Sequence, residues 1–226
     1  MARAVVQRLR GLVPYGRALE LQERLAAGLR AGERPAAGGA VGTVLVLQHP
    51  PVYTVGKRGP GGDLREGEAA LRAAGAEVFR TRRGGQVTFH GPGQVVVYPV
   101  VDLRALPGRV GARRWVEGLE DTMVGACRAH GVAARGRVPG RTGVWVGDWK
   151  IGAIGVQIRG GVSTHGLAFN VAPDLARFAA IVPCGGHGAG VTSLAREVGR
   201  TVPRREAEDG LLAAFAETFR IKLEEE

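Results

Sequence analysis

A chain of 226 residues with 45% hydrophobic and 23% charged content has the make-up of an ordinary globular protein and enough length to bury a sizeable core. No apolar run reaches the roughly 18 residues of a membrane span, and the N-terminal MARAVVQRLRGLVPYG lacks the continuous apolar stretch of a secretory signal. The net charge of +10 fits either a general bias toward arginine or an acidic macromolecular partner.

In chain order, the patterning predicts a strand at 3–9, a helix at 14–31, a Pro/Gly/Ala loop at 31–42 and a strand at 43–49. A GPGGD loop at 59–63 leads to a helix at 66–74 and strands at 76–81, 85–90 and 94–101. A helix at 109–130 carries Val110, Trp115, Val116, Leu119, Met123, Val124 and Cys127 at helical spacing. Strands follow at 132–137, 143–146, 149–159 and 162–171, and a last helix at 203–220 opens on Thr201-Val-Pro, a cap and an early proline. Adjacent strands joined by tight turns predict an α+β fold, a mostly antiparallel mixed sheet with packed helices, in a single domain over 1–226.

Gly147-Asp148 and Gly160-Gly161 are two-residue hairpin signals. Turns of that length pair Trp145 with Lys150, Val156 with His165, Arg159 with Val162 and Lys150 with Val171. Alternation then puts Lys150, Ile154, Val156 and Ile158 on one apolar face with Trp145, His165, Leu167, Phe169 and Val171. A glycine bulge would flip that result. Only three residues are lysine, Lys57, Lys150 and Lys222, against 28 arginines. An internal lysine in such a chain is a candidate for a task arginine cannot do, such as giving up a proton, and an apolar setting lowers its pKa.

Two cysteines make no disulfide framework, so a cytoplasmic protein with reduced thiols is expected. Cys127 falls on the apolar stripe of a helix and reads as core. Cys184, in IVPCGGHGAG, is poor core material and could be nucleophile, structural residue or metal ligand. A free thiol is only a few per cent thiolate at neutral pH, so a nucleophile needs a base, which His187 or Lys150 could supply. Cys127-x-x-His130 and Cys184-x-x-His187 could make a zinc site but lack the usual knuckle glycines, so no metal is expected. Gly186-x-Gly188-x-Gly190 is a weak phosphate-loop match with no Gly-Lys-Ser/Thr after it. Arg82-Arg83-Gly84-Gly85 hints at an RNA-binding module, but 5% aromatic content leaves little for base stacking, so no nucleic acid is expected.

Four blocks in order carry a resemblance. Arg83-Gly84-Gly85-Gln86-Val87-Thr88-Phe89-His90, with Gly91-Pro-Gly-Gln94 and Tyr98, comes first. Lys150-Ile-Gly-Ala-Ile-Gly155, His165-Gly-Leu-Ala-Phe-Asn170 and Ile181-Val-Pro-Cys-Gly185 with Val191-Thr-Ser-Leu194 follow. Together they resemble the octanoyltransferase (LipB) family, whose fold is similar to that of biotin and lipoate ligases. The resemblance implies transfer of an octanoyl group from octanoyl-acyl carrier protein to a lysine of lipoyl domains, those of 2-oxoacid dehydrogenases and the glycine cleavage H protein. It implies no cofactor, no membrane and a monomer. It makes Cys184 the nucleophile and Lys150 its proton partner. The substrate lies along residues 83–90, with Ala153, Ile154 and Gly155 and Gly166, Leu167 and Ala168 opposite, and His165 orients the site. An ATP-dependent lipoate or biotin ligase of the same fold is the alternative. His-Gly-Pro-Gly-Gln in place of the ligases' His-Asp turn speaks against it.

Overall fold

The computed structural model describes residues 1–35, 39–59, 64–181 and 190–226. Its elements in chain order are β1 (Arg3–Leu12), α1 (Tyr15–Ala31), β2 (Gly42–Gln48), β3 (Val52–Val55), α2 (Gly67–Ala73), β4 (Glu77–Arg80), β5 (Val87–His90), β6 (Gln94–Val101), α3 (Ala112–Ala129), β7 (Val144–Val146), β8 (Trp149–Arg159), β9 (Val162–Asn170), a 3-10 turn (Leu175–Ala180), β10 (Gly190–Val191), α4 (Leu194–Val198), α5 (Arg204–Phe219) and β11 (Lys222–Glu225). A large sheet runs β10-β8-β9-β6-β2-β1-β11, with β7 also on β8, and a small one runs β4-β3-β5. The pairs β2–β6, β6–β9, β8–β9 and β7–β8 are antiparallel, whereas β1–β2, β1–β11 and β8–β10 are parallel. The α+β class is as expected from the turns.

The large sheet is covered on both faces, which is why β6 reads Gln-Val-Val-Val-Tyr-Pro-Val-Val and is buried throughout. Its Val95, Val97 and Val101 face α3 and α5 with Val44, Val46, Leu167 and Phe169. Val96 and Tyr98 face α1 with Leu45, Leu47 and Ala168. Trp115 on α3 packs against Phe219 on α5, ring centroids 4.6 Å apart, and donates its indole N–H to Ser163 of β9. The small sheet has its own core of Tyr53, Val78, Phe89, Phe178 and Ile181.

Several expectations change. No strand forms over 132–137; Arg135 and Val138 make only isolated bridges, to Trp145 and Arg141. Thr201 does not cap α5, whose N-cap is Pro203 with no side-chain cap. β3, β10, β11 and α4 were not expected; β3 follows His49-Pro-Pro, which reads as a loop.

Three of the four hairpin pairings hold: Trp145 faces Lys150, Val156 faces His165 and Arg159 faces Val162. The fourth does not, because β9 ends at Asn170 and Lys150 pairs with Val191 of β10 rather than with Val171. The face assignment does not hold either. Register slips between Val144↔Gly152 and Trp145↔Lys150, so Ile151 is an extra residue in β8. Ile151 therefore joins Val144, Leu167 and Phe169 in the α3-side core, with Ile154, Val156 and Ile158 packed against it. Lys150 and Trp145 still share a face, but it is the opposite one. His165 adopts a left-handed backbone, φ 57°, which turns its ring away from Leu167 and Phe169 toward Tyr15 of α1. Two irregularities thus bring Lys150 and His165 back to one side.

Candidate active site

A cleft of about 860 Å³ opens between the two sheets. Along one wall lie Arg83, Gly85, Gln86, Val87, Thr88 and His90; along the other lie Ala153, Ile154, Gly155, His165, Gly166, Leu167 and Ala168, with Lys150 beyond them. Phe89 does not line it. Alternation in β5 sends its ring into the small-sheet core, 5.1 Å from Tyr53 and 5.4 Å from Phe178. Gly84 does not line it either; its N–H donates to the Val156 carbonyl at 2.8 Å and ties the 83–86 loop to β8. Gly155 leaves room for that loop, since a Cβ there would sit 2.9 Å from Arg83 Cδ.

Lys150 is 9% exposed, and its Nζ lies over the Trp145 ring at 4.7 Å from the centroid. Glu120, a buried acid on the apolar stripe of α3, shapes the ground beside it. Its carboxylate accepts from the Gly143 N–H at 2.9 Å and the Arg137 N–H at 2.8 Å, pinning the 137–143 loop.

Arg83, 6% exposed, donates from Nη2 to Thr54 Oγ1 at 2.8 Å and from Nη1 to the Gly84 carbonyl at 2.9 Å. Around it stand three buried histidines. The Val13 carbonyl accepts from His49 Nδ1 at 2.7 Å, so His49 Nε2 accepts the Tyr98 hydroxyl at 2.8 Å. Gln94 donates from Nε2 to Asn170 Oδ1 at 2.9 Å, which leaves its oxygen to accept from His90 Nδ1 at 2.7 Å. Asn170 donates to the Thr192 carbonyl at 3.0 Å, and the Thr192 N–H donates to the Lys150 carbonyl at 2.9 Å. Hydrogen bonds therefore run from His90 to the strand of Lys150. Burial holds His49 down at about 4. Burial, with the Arg83 charge, does the same to His165, also about 4. His90 is lowered well below the usual range by burial, His49 and Arg83. These rings are neutral at pH 7. Burial raises the Tyr15 phenol to about 12.

Cys184 and His187 lie outside the described residues. The chain on either side of them is described. Ile181, bridged to Leu64, and Val191, in parallel register with Lys150, both line the cleft. Cys127 is fully buried in the α3-side core with its thiol pushed up to about 12, and His130 is occupied by Ala126 and Glu206.

The model of the lipoyl protein ligase A/B catalytic domain matches residues 14–216. The chain belongs to this family. It is 45% identical to the mitochondrial octanoyltransferase LIP2 of Arabidopsis thaliana, over 92% of this chain and 86% of that one. It is also 45% identical to an octanoyltransferase of Rubrobacter xylanophilus, over 95% and 93%. A bi-partite lipoate protein ligase from Thermoplasma acidophilum shares the fold at 17% identity, with a TM-score of 0.71 over 100% of this chain and 86% of that one. Among the described residues no helix is long and apolar enough to cross a membrane.

Within this ligase-family cleft, Tyr15, His49, Thr54 and Glu120 escaped the sequence reading. Glu120 was the most readable of them, a carboxylate next to Leu119 on an otherwise apolar helix face. His49 follows directly on the buried β2 and is itself fully buried, a position usually given to an apolar residue.

Proposed function

We propose that this chain is an octanoyltransferase that moves an octanoyl group from an acyl carrier protein to a lysine of lipoyl domains, in the cytoplasm and as a monomer. Arg83, Gly85–Thr88 and His90 on one wall and Ala153–Gly155 with Gly166–Ala168 on the other hold the acyl chain, and His165 orients it. Lys150 takes the Cys184 thiol proton as Sγ attacks the carrier thioester carbonyl, and passes that proton to the carrier sulfur as it leaves as a thiol. The acceptor amine then attacks the Cys184 thioester, Lys150 takes a proton from that amine and returns it to the departing Cys184 sulfur, and the amide forms as the thiol is regenerated. Thioester to amide is downhill, so no ATP enters. The acceptors are the lipoyl domains of 2-oxoacid dehydrogenases and the glycine cleavage H protein.

The observation that carries this reading is the seating of Lys150 in the cleft beside Val191, with both described ends of the Cys184 segment on the cleft walls. Incubation with octanoyl carrier protein should leave an octanoyl adduct on Cys184, visible by mass spectrometry, released by hydroxylamine and absent in Cys184→Ser. A wild-type protein that turns over without such an adduct would refute the covalent route.

A further inference from the structure

The two rims of the cleft differ in charge. On the β7 and α3 side, each arginine that lines the cleft has a carboxylate partner. Arg113 pairs with Glu117 at 2.8 Å, Arg141 with Asp148 at 3.4 Å, and Arg137 with Asp121. On the small-sheet side, Lys57, Arg58 and Arg82 are exposed, and no described carboxylate pairs with any of them. Backbone bonds weld the two loops that carry them. The Lys57 N–H donates to the Arg83 carbonyl at 3.0 Å and the Arg58 N–H to the Gly85 carbonyl at 3.1 Å. Three cations are thus fixed on a loop pair whose inner residues, Arg83 and Gly85, are cleft wall.

We infer that the 57–58 and 82 loop pair is the docking site for an acidic acyl-donor protein, which lays its acid face on this rim and passes its thioester arm into the cleft. This rests on the octanoyltransferase reading. Unpaired cations on a fixed backbone attract an acidic partner over about a Debye length and raise its local concentration, while the ion-paired rim exerts no such pull. The neutral rim is left for the acceptor.

The test is steady-state kinetics with two donors, octanoyl carrier protein and the small thioester octanoyl-N-acetylcysteamine. In Lys57→Glu/Arg82→Glu, the KM for the carrier donor should rise at least tenfold and lose most of its salt dependence. Turnover of the small thioester should stay within twofold of wild type. Arg10→Glu/Arg128→Glu makes the same charge change on β1 and at the end of α3, and should shift the carrier KM less than threefold. An unchanged carrier KM in the rim variant, an equal rise in both variants, or a parallel loss with the small thioester overturns the docking site alone. A wild-type protein inactive with both donors overturns the octanoyltransferase reading and the docking site together.

Discussion

Lys150 lies over the Trp145 ring on a strand paired on both sides, with β7 and β10, where a guanidinium of different shape and no accessible neutral form cannot replace it. Lys150→Arg should therefore lower kcat/KM for octanoyl transfer by roughly 100-fold, the scale of a lost acid–base group, while keeping the fold. Near-wild-type turnover would show that positive charge alone suffices. The histidines make a separate prediction about stability. His49 and His165 sit near 4 against an ordinary 6.5, so the unfolded chain takes up their protons between about pH 6.5 and 4 and the folded chain does not. Their contribution is complete above pH 6.5 and is lost as pH falls toward 4, at about 1.4 kcal/mol per pH unit per ring. Denaturant titrations should show this slope, and His165→Gln should flatten it. At this scale the sequence was informative where a residue type was rare: Lys150 stood out among 28 arginines. Glu120 and His49 did not, because their importance comes from partners remote in sequence, Arg137 and Gly143 for the one and Val13 and Tyr98 for the other, which no periodic signal links to them.

Turn chemistry set the β7–β8–β9 register correctly, since Gly147, Gly160 and Gly161 take the positive φ values that tight hairpins need. Faces failed at the same place, for a reason remote in sequence. Gly152 lies against Met123 of α3, and the extra residue Ile151 enters the α3-side core, so packing from another element overrode the two-residue period. The short β3 and β10 were missed because strands of 4 and 2 residues carry almost no pattern of their own. The glycine on β9 gives the test at this level. A Cβ on Gly166 would run into the Val97 carbonyl and lie 2.6 Å from Pro99 Cδ, neither of which can swing aside. Gly166→Ala should cost about 3 kcal/mol, a drop of roughly 6–12 °C in Tm by calorimetry.

Across the whole molecule, the last strand is bolted to the first. Arg8 on β1 donates to Glu225 of β11 at 2.8 Å, to Glu208 of α5 at 3.0 Å and to Asp209 at 2.6 Å. Glu208 is buried, so Arg8→Ala leaves it with Arg204 alone. We expect a loss of about 2 kcal/mol in urea unfolding and faster hydrogen exchange across β11, because removing Arg8 takes one of two partners from the one buried carboxylate of the cluster, Glu208. The cleft has a consequence of its own on this scale. It is the seam between a large sheet and a small one, each with a separate core, so whatever fills it acts as mortar. A medium-chain acid present at a hundred times its Kd would add about 2.7 kcal/mol to the folded state. The slowing of amide exchange should fall chiefly on β3, β4 and β5, the sheet with the smaller core to lean on.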